Sequence, residues 1–433
     1  MLLQFSVGNH RSFRERQTLS FVASKDTEHL EHTFETGAED LRALKSVALY
    51  GANASGKSNL VSALHVMKRL VIDSAKESQR EEAIPVEPFR LDPATEAAPS
   101  EFEVVLVIDG SCYVYGFTAD AQCVHEEWLT VSRKVSQRVG TRVLFSRQND
   151  EIEFGDSWGG SGALLRQHTR TNALVLSTAA MLNVEQPAPV FDWFSEKLRI
   201  VMADLEPVVG LKWCFDLAAA DPSFQTFLDN LVHAADVGIE RVNMEEVPWE
   251  PVDEESFRRQ WPLIREELVE ARLREIRERV GTGASQGRVY TVHRRPDGSL
   301  VYFDPIRDES RGTLKLLCSA PLWHGLMDGD RTLAVDELET RYHPALTERL
   351  LKEVHQASGT HQLLFTTHDE SLMESASLRR DQVWFLEKRA LAASKLYSLW
   401  DFRSRKGQSN SRAYRQGRFG AVPILGELGL VSE

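Results

Sequence analysis

Apolar positions in the first fifty residues fall in short runs bounded by polar segments: LLQFSV from Leu2, TLSFVA from Thr18 and SVALY from Ser46. Runs of this length predict strands. After the third run comes GANASGKS, and then Leu60, Leu64, Met67 and Val71 recur at helical spacing, predicting a strand, a glycine loop and a helix in succession. From about Glu101 to Arg147 the pattern alternates through FEVVLVID, YVYGFTA, EEWLTVS and VLFSR, with Asp109-Gly110 as a turn between the first two. That alternation predicts an antiparallel sheet. Between about Thr171 and Val280 the period becomes helical, ending in a charged segment where Ile264, Leu268, Leu273, Ile276 and Val280 keep one apolar face. Strand signals return as a hairpin around Pro296-Asp297-Gly298, followed by RTLAVDE, HQLLFTTHD and QVWFLEK with helices between them. Strands alternating with helices predict a parallel, helix-covered sheet. The expected organisation is an α/β head in two parts, residues 1–170 and 286–433, separated by a helical insertion over 171–285.

Composition narrows the class. With 433 residues, 42 % hydrophobic and 27 % charged, the chain is long enough for several structural units without staples. No stretch approaches the roughly 18 uninterrupted apolar residues of a membrane span. The start, MLLQFSVGNHRSFRE, lacks the regions of a secretory signal, so a cytoplasmic location is expected. Cys112, Cys123, Cys214 and Cys318 form no CxxC pair, which argues for plain thiols rather than a disulfide framework or zinc knuckle. The net charge of −13 makes the average surface repel phosphate backbones, so contact with nucleic acid requires a local basic patch. The acid-rich run from Glu240 to Val280 reads as a solvated helix surface.

Gly51-Ala-Asn53-Ala-Ser55-Gly56-Lys57-Ser58 is a GxxxxGK[ST] loop placed after a strand and before a helix, the setting in which such loops hold phosphate. Glycines let backbone N–H groups face the β-phosphate of a nucleotide, and the helix N-terminus adds its dipole. Lys57 neutralises β/γ oxygens, while the Ser58 hydroxyl is a ligand for Mg²⁺. LAVDE is an apolar strand ending in two acids: Asp336 as a second Mg²⁺ holder and Glu337 as the base for an attacking water. LLFTTHD places His368 at the C-terminal end of another apolar strand, the edge of a parallel sheet where ligands gather.

These motifs resemble the ABC-type ATPase superfamily, in the branch of SMC proteins, recombination mediators and overcoming-lysogenisation-defect nucleases. GANASGKSN, ending in Asn59, is similar to that branch's phosphate loop, and NHRSF (Asn9 to Phe13, with Arg11 and Ser12) to its N-terminal element near the nucleotide. ESRGT from Glu309 resembles its signature motif, DELETRYHP its Walker B and D-loop, and FTTHD its histidine switch. FRLDPATEAAPSEFEV, YVYGF, NALVLSTAAMLN and YRQGRFGAVPIL look like AAA/ABC-hybrid ATPases of bacterial phage-defence loci, the RloA and AbiL type. The resemblance implies an ATP·Mg²⁺ site shared by two chains: Lys57, Ser58, Asp336, Glu337 and His368 of one, Ser310 and Gly312 of the other. It also implies a homodimer or higher even oligomer, and a separately encoded effector of the RloB, Toprim or toxin kind. With about 65 residues after His368, a fused Toprim nuclease is not expected. A Q-loop glutamine has Gln79 as one candidate, with the segment around Phe89 as a substitute.

From Phe402 to Arg418 six bases, Arg403, Arg405, Lys406, Arg412, Arg415 and Arg418, occur without an acid. One reading is a phosphate-backbone patch with Tyr414 and Phe419 available to stack on bases. The favoured reading is a structural or subunit-contact segment, since the resemblance covers this stretch. The function expected is an ATPase that senses infection and regulates an effector. The alternatives are an SMC- or recombination-type ATPase acting on DNA, and a nucleotide-gated scaffold.

Overall fold

The computed structural model describes residues 1–422 apart from 39–40, 78, 80–81, 136–137, 157, 203–205, 236, 250, 252, 261–265, 283, 341, 375–377, 390–391 and 403–408. It divides into two compact units, one of residues 1–203 with 325–433 and one of residues 204–324.

The first unit is an α/β head. Its parallel sheet takes the order Leu198–Val201, Thr332–Val335, Gln362–Thr366, Ser46–Tyr50, Val383–Lys388, and Ser394–Ser398 closes one edge antiparallel. The central strands Ser46–Tyr50, Thr332–Val335 and Gln362–Thr366 are buried at every residue, as strands covered on both faces must be. A seven-stranded antiparallel sheet holds Ser100–Ile108, Ser111–Ala119, Val124–Val135, Arg138–Gln148 and Glu151–Phe154, with Leu2–Gly8 and Gln17–Ser20 at its other edge. Asp109 and Gly110, at φ 50° and 70°, make the tight turn read from the sequence. Leu60, Leu64, Met67 and Val71 of helix Lys57–Asp73 join Phe5, Phe102, Phe117 and Leu364 in one core between these elements. Gln362 ties the sheets, accepting from Leu2 N at 2.6 Å and donating to Leu2 O at 2.8 Å.

Residues 171–203 belong to this head. Leu174, Val175, Leu176 and Val190 are in its core, and Glu127, 1 % exposed, accepts from Val175 N (2.6 Å) and Leu176 N (3.0 Å). A buried carboxylate needs such donors, and these bind the helix Val175–Met181 to the antiparallel sheet. Leu198–Val201 adds a strand inside the stretch read as helical.

The second unit combines helices, among them Pro207–Ala220, Pro222–Ala234 and Glu266–Gly281, with a three-stranded antiparallel sheet of Arg241–Pro248, Ser285–Arg294 and Leu300–Phe303. Its bounds therefore differ from an insertion ending at 285, because Ser285–Arg294 pairs with Arg241–Pro248 along its length. The expected hairpin is present, with Gly298 at φ 84°. In helix Glu266–Gly281, Val269, Leu273 and Ile276 are buried. Ile264 and the Leu268 side chain lie outside the described residues. No helix among the described residues is long and apolar enough to cross a membrane.

Candidate phosphate-binding site

Three adjacent parallel strands, Thr332–Val335, Gln362–Thr366 and Ser46–Tyr50, point the same ends toward one edge. Each releases its chain into a segment carrying a predicted site residue: Asp336 and Glu337, His368, and the loop 51–56. Convergence at the C-terminal edge of a parallel sheet is where ligands bind in open α/β folds.

The loop is built around its glycines. Gly51 has φ 155°, and a Cβ there would stand 2.3 Å from Leu386 O and 2.6 Å from Ser55 Oγ. Gly56, at φ 112°, starts helix Lys57–Asp73, and a Cβ on it would meet Ser394 Oγ at 2.4 Å and Ser12 Oγ at 2.8 Å. Only glycine tolerates both the angle and the crowding. Ser55 Oγ is buried with no hydrogen-bond partner among the described residues, while Asn53 and Ser58 are exposed. An orphaned hydroxyl, exposed polar side chains and a helix N-terminus with no side-chain cap fit a polyanionic ligand.

Lys57 is 6 % exposed and folds back over the loop, donating to Gly51 O at 2.8 Å and Ala52 O at 3.3 Å. Its Nζ lies 2.9 Å from His368 Nε2. Burial pulls the ammonium below its ordinary pKa, opposed by the negative charges of Glu339, Asp336 and Glu337. The same burial, then the Lys57 charge, lowers the His368 imidazole.

Asp336 is 8 % exposed, and Thr366 Oγ1 donates to its Oδ1 at 2.7 Å. That hydroxyl also accepts from Glu337 N at 2.7 Å, where Glu337, exposed, takes the left-handed conformation at φ 52°. Glu339 Oε1 accepts from His368 N at 2.7 Å. Thr366 and Glu339, unassigned from the sequence, thus couple the acidic turn to the histidine turn. Both lie inside quoted motifs, FTTHD and DELET, but neither string says which side chains meet.

The N-terminal element reaches the same place. Ser12 Oγ accepts from Asn59 Nδ2 at 2.8 Å, and Ser12 O accepts from Ser394 N at 2.7 Å. Ser394 Oγ donates to Ser55 O at 2.6 Å, so Ser394 also braces the loop. Arg11 donates to Ser62 Oγ at 2.8 Å and pairs with Glu87 at 2.6 Å. Asn9 Nδ2 donates to Thr95 O and Ala98 O, both at 2.8 Å, and its Oδ1 accepts from Phe89 N at 3.1 Å. NHRSF therefore fastens the segment around Phe89 to the phosphate loop. Gln79 is exposed, and its backbone accepts from Asn172 Nδ2 at 2.9 Å.

Ser310 and Gly312 lie in the second unit at the start of helix Arg311–Met327, both exposed. Ser310 Oγ caps that helix by accepting from Thr313 N at 3.1 Å. In the C-terminal segment Tyr414 stacks on Phe385 at 5.3 Å, Phe419 on the same ring at 5.8 Å, and both are buried. Neither is available to stack on bases. Arg415 pairs with Glu370 at 2.6 Å, while Arg403, Arg405 and Lys406 lie outside the described residues, as do Pro423 to Leu425 of the C-terminal motif.

A phosphate loop, an acidic strand end and a histidine on adjoining parallel strands define a P-loop ATPase domain. The chain belongs to the family described as AAA domain, putative AbiEii toxin, Type IV TA system, whose model matches residues 46–176 and 190–374. Similar solved structures include the SmcHead bound to the C-winged helix domain of ScpA, at 13 % identity and TM-score 0.44, covering 92 % of this chain and 97 % of that one. The SMC head domain from Thermotoga maritima is 12 % identical at TM-score 0.39, covering 92 % and 98 %. An Smc head with an extended coiled coil, bound to the C-terminal domain of ScpA derived from Pyrococcus furiosus, is 13 % identical at TM-score 0.37, covering 96 % and 98 %. No curated protein matches.

Proposed function

We propose that this chain binds and hydrolyses ATP, pairs head to head with a second copy around the nucleotide, and regulates a separately encoded effector in bacterial phage defence. The observation that carries the ATPase reading is the meeting of Lys57 with His368, beside Asp336 and Glu337, at one sheet edge. Gly51, Asn53, Ser55 and Gly56 form the phosphate cradle, with Lys57 as its cation. Arg11, Ser12 and Asn59 brace it. Ser58 and Asp336 hold Mg²⁺, which when bound supplies positive charge to the phosphate oxygens. Glu337, exposed beside Thr366, takes a proton from the attacking water, and His368 stabilises charge at the terminal phosphate.

Ser310 and Gly312 act on the nucleotide of the opposing chain, offering N–H groups at the exposed start of a helix. The defence role is supported by the family description, which names a toxin and a toxin–antitoxin system. The test is the solution mass of Glu337→Gln protein with and without Mg-ATP, alone and with the product of a neighbouring gene. ATP-dependent doubling that Ser310→Arg abolishes, and recruitment of the neighbour, are expected. A mass indifferent to ATP would sink the paired-head mechanism, and a neighbour that never binds would sink the effector reading.

A further inference from the structure

The turn joining Ser111–Ala119 to Val124–Val135 gathers three side chains that the phosphate site does not use: Asp120, Cys123 and His125. Pairing across this hairpin shifts register, with Ala119 opposite Val124 and Thr118 opposite Glu126, so His125 is the extra residue of a bulge. Bulges re-aim a side chain. Here the imidazole meets the turn, its Nε2 standing 2.7 Å from Asp120 Oδ2 and 3.7 Å from Cys123 Sγ.

The turn is held independently of that meeting. Asp120 Oδ1 accepts from Gln122 N at 2.7 Å and Cys123 N at 2.9 Å, leaving Oδ2 for the histidine. Val124 N donates to Thr171 O at 2.9 Å, and Asn149 N donates to His125 O at 2.6 Å. These bonds fix the Asp120 carboxylate and the main chain that carries Cys123 and His125 before any ligand arrives. The three atoms lie within 4.8 Å of one another, and each residue is half-buried.

Two chemistries use such a trio. A nucleophile relay needs the thiol and the carboxylate on opposite ring nitrogens, so that the ring passes the proton between them. Both face Nε2 here, which excludes the relay and leaves a convergent chelate. In a tetrahedral zinc site, bonds of about 2.0 Å to nitrogen and 2.3 Å to sulfur set those atoms about 3.5 Å apart. The Sγ to Nε2 distance of 3.7 Å is already close to that edge. A soft sulfur, an imidazole and one carboxylate suit zinc better than magnesium or calcium, which prefer all-oxygen sets.

We propose that Asp120 Oδ2, Cys123 Sγ and His125 Nε2 bind one Zn²⁺, with the fourth position open to water. The thiol proton leaves to solvent on binding. The ion ties the first residues of Val124–Val135 to the turn before them, and its binding is independent of the ATPase reading. His29, Glu31 and His32 are the other such group among the described residues, and they contain no thiol.

The whole chain, stripped of metal and free of nucleotide, is titrated with Zn²⁺ and separately with Co²⁺. One equivalent of Zn²⁺ is expected, and Co²⁺ should give a thiolate-to-metal charge-transfer band. Cys123→Ser should remove that band. Cys123→Ser and His125→Gln should each weaken Zn²⁺ at least about tenfold, with unchanged circular dichroism of the metal-free proteins. If a variant folds poorly, the wild-type cobalt spectrum decides, because a spectrum without a charge-transfer band overturns the thiolate ligand. Zinc bound equally by Cys123→Ser, zinc lost instead in His29→Ala, or no stoichiometric zinc would each overturn the assignment.

Discussion

Lys57 Nζ stands 2.9 Å from His368 Nε2, joining residues 311 positions apart in sequence. The ammonium can only donate, so the ring must offer Nε2 as acceptor and carry its proton on Nδ1. Burial and the Lys57 charge lower the His368 pKa, which favours this neutral form. Protonation at lower pH would set two cations against each other. His368→Ala should therefore retain ATP affinity within a few-fold and lose on the order of a hundredfold in hydrolysis rate. His368→Gln, an acceptor that does not titrate, should flatten the acid limb of the rate profile. Steady-state rates across pH check this, and an acid limb unchanged in the glutamine variant would disprove the neutral-acceptor role.

Thr366 is predicted to act as a positioning residue. Its hydroxyl donates to Asp336 and accepts from Glu337 N, so Thr366→Val strips a partner from a buried carboxylate and from the backbone of the proposed base. Unpaired groups of this kind cost about 1–3 kcal/mol. The turnover rate should fall while nucleotide affinity changes little, and Thr366→Ser should restore it. Loss of stability with an unaltered turnover rate per folded molecule would assign Thr366 a structural role only.

The parts of this site that are legible in sequence are those where one contiguous string carries both the element and its chemistry. Ser46–Tyr50 with its glycine loop and helix, and the apolar strand before Asp336, are of this kind. Ser394 and Glu339 were not legible, because their partners lie across the sheet edge and no period links them. The first N-terminal run was readable as a strand, yet its place in the antiparallel sheet rests on pairing with Ser100–Ile108, almost a hundred residues away. The strand Arg241–Pro248 was hidden in an acid-rich stretch, since a thinly buried strand leaves a weak alternation. The spatial neighbours of Cys123 were not legible, because a bulge rather than CxxC spacing sets them.

His10 gives the fold a sensitivity to acid. It is fully buried edge-on to Phe102 at 5.1 Å, and neither ring nitrogen has a hydrogen-bond partner among the described residues. Burial first, then the Arg11 charge, pulls its pKa down to about 4, with Glu87 opposing. An unfolded histidine titrates near 6.5, so between about pH 6.5 and 4 the unfolded chain takes up a proton that the folded one excludes. Stability from this group is whole above that window and falls by ~1.4 kcal/mol for each pH unit down through it. His10→Leu removes the titration and two unsatisfied nitrogens together. Its urea-unfolding free energy should match or exceed the wild type near pH 7, and the difference should widen in its favour toward pH 4. Parallel stability curves for the two proteins would show that His10 is not the group that charges.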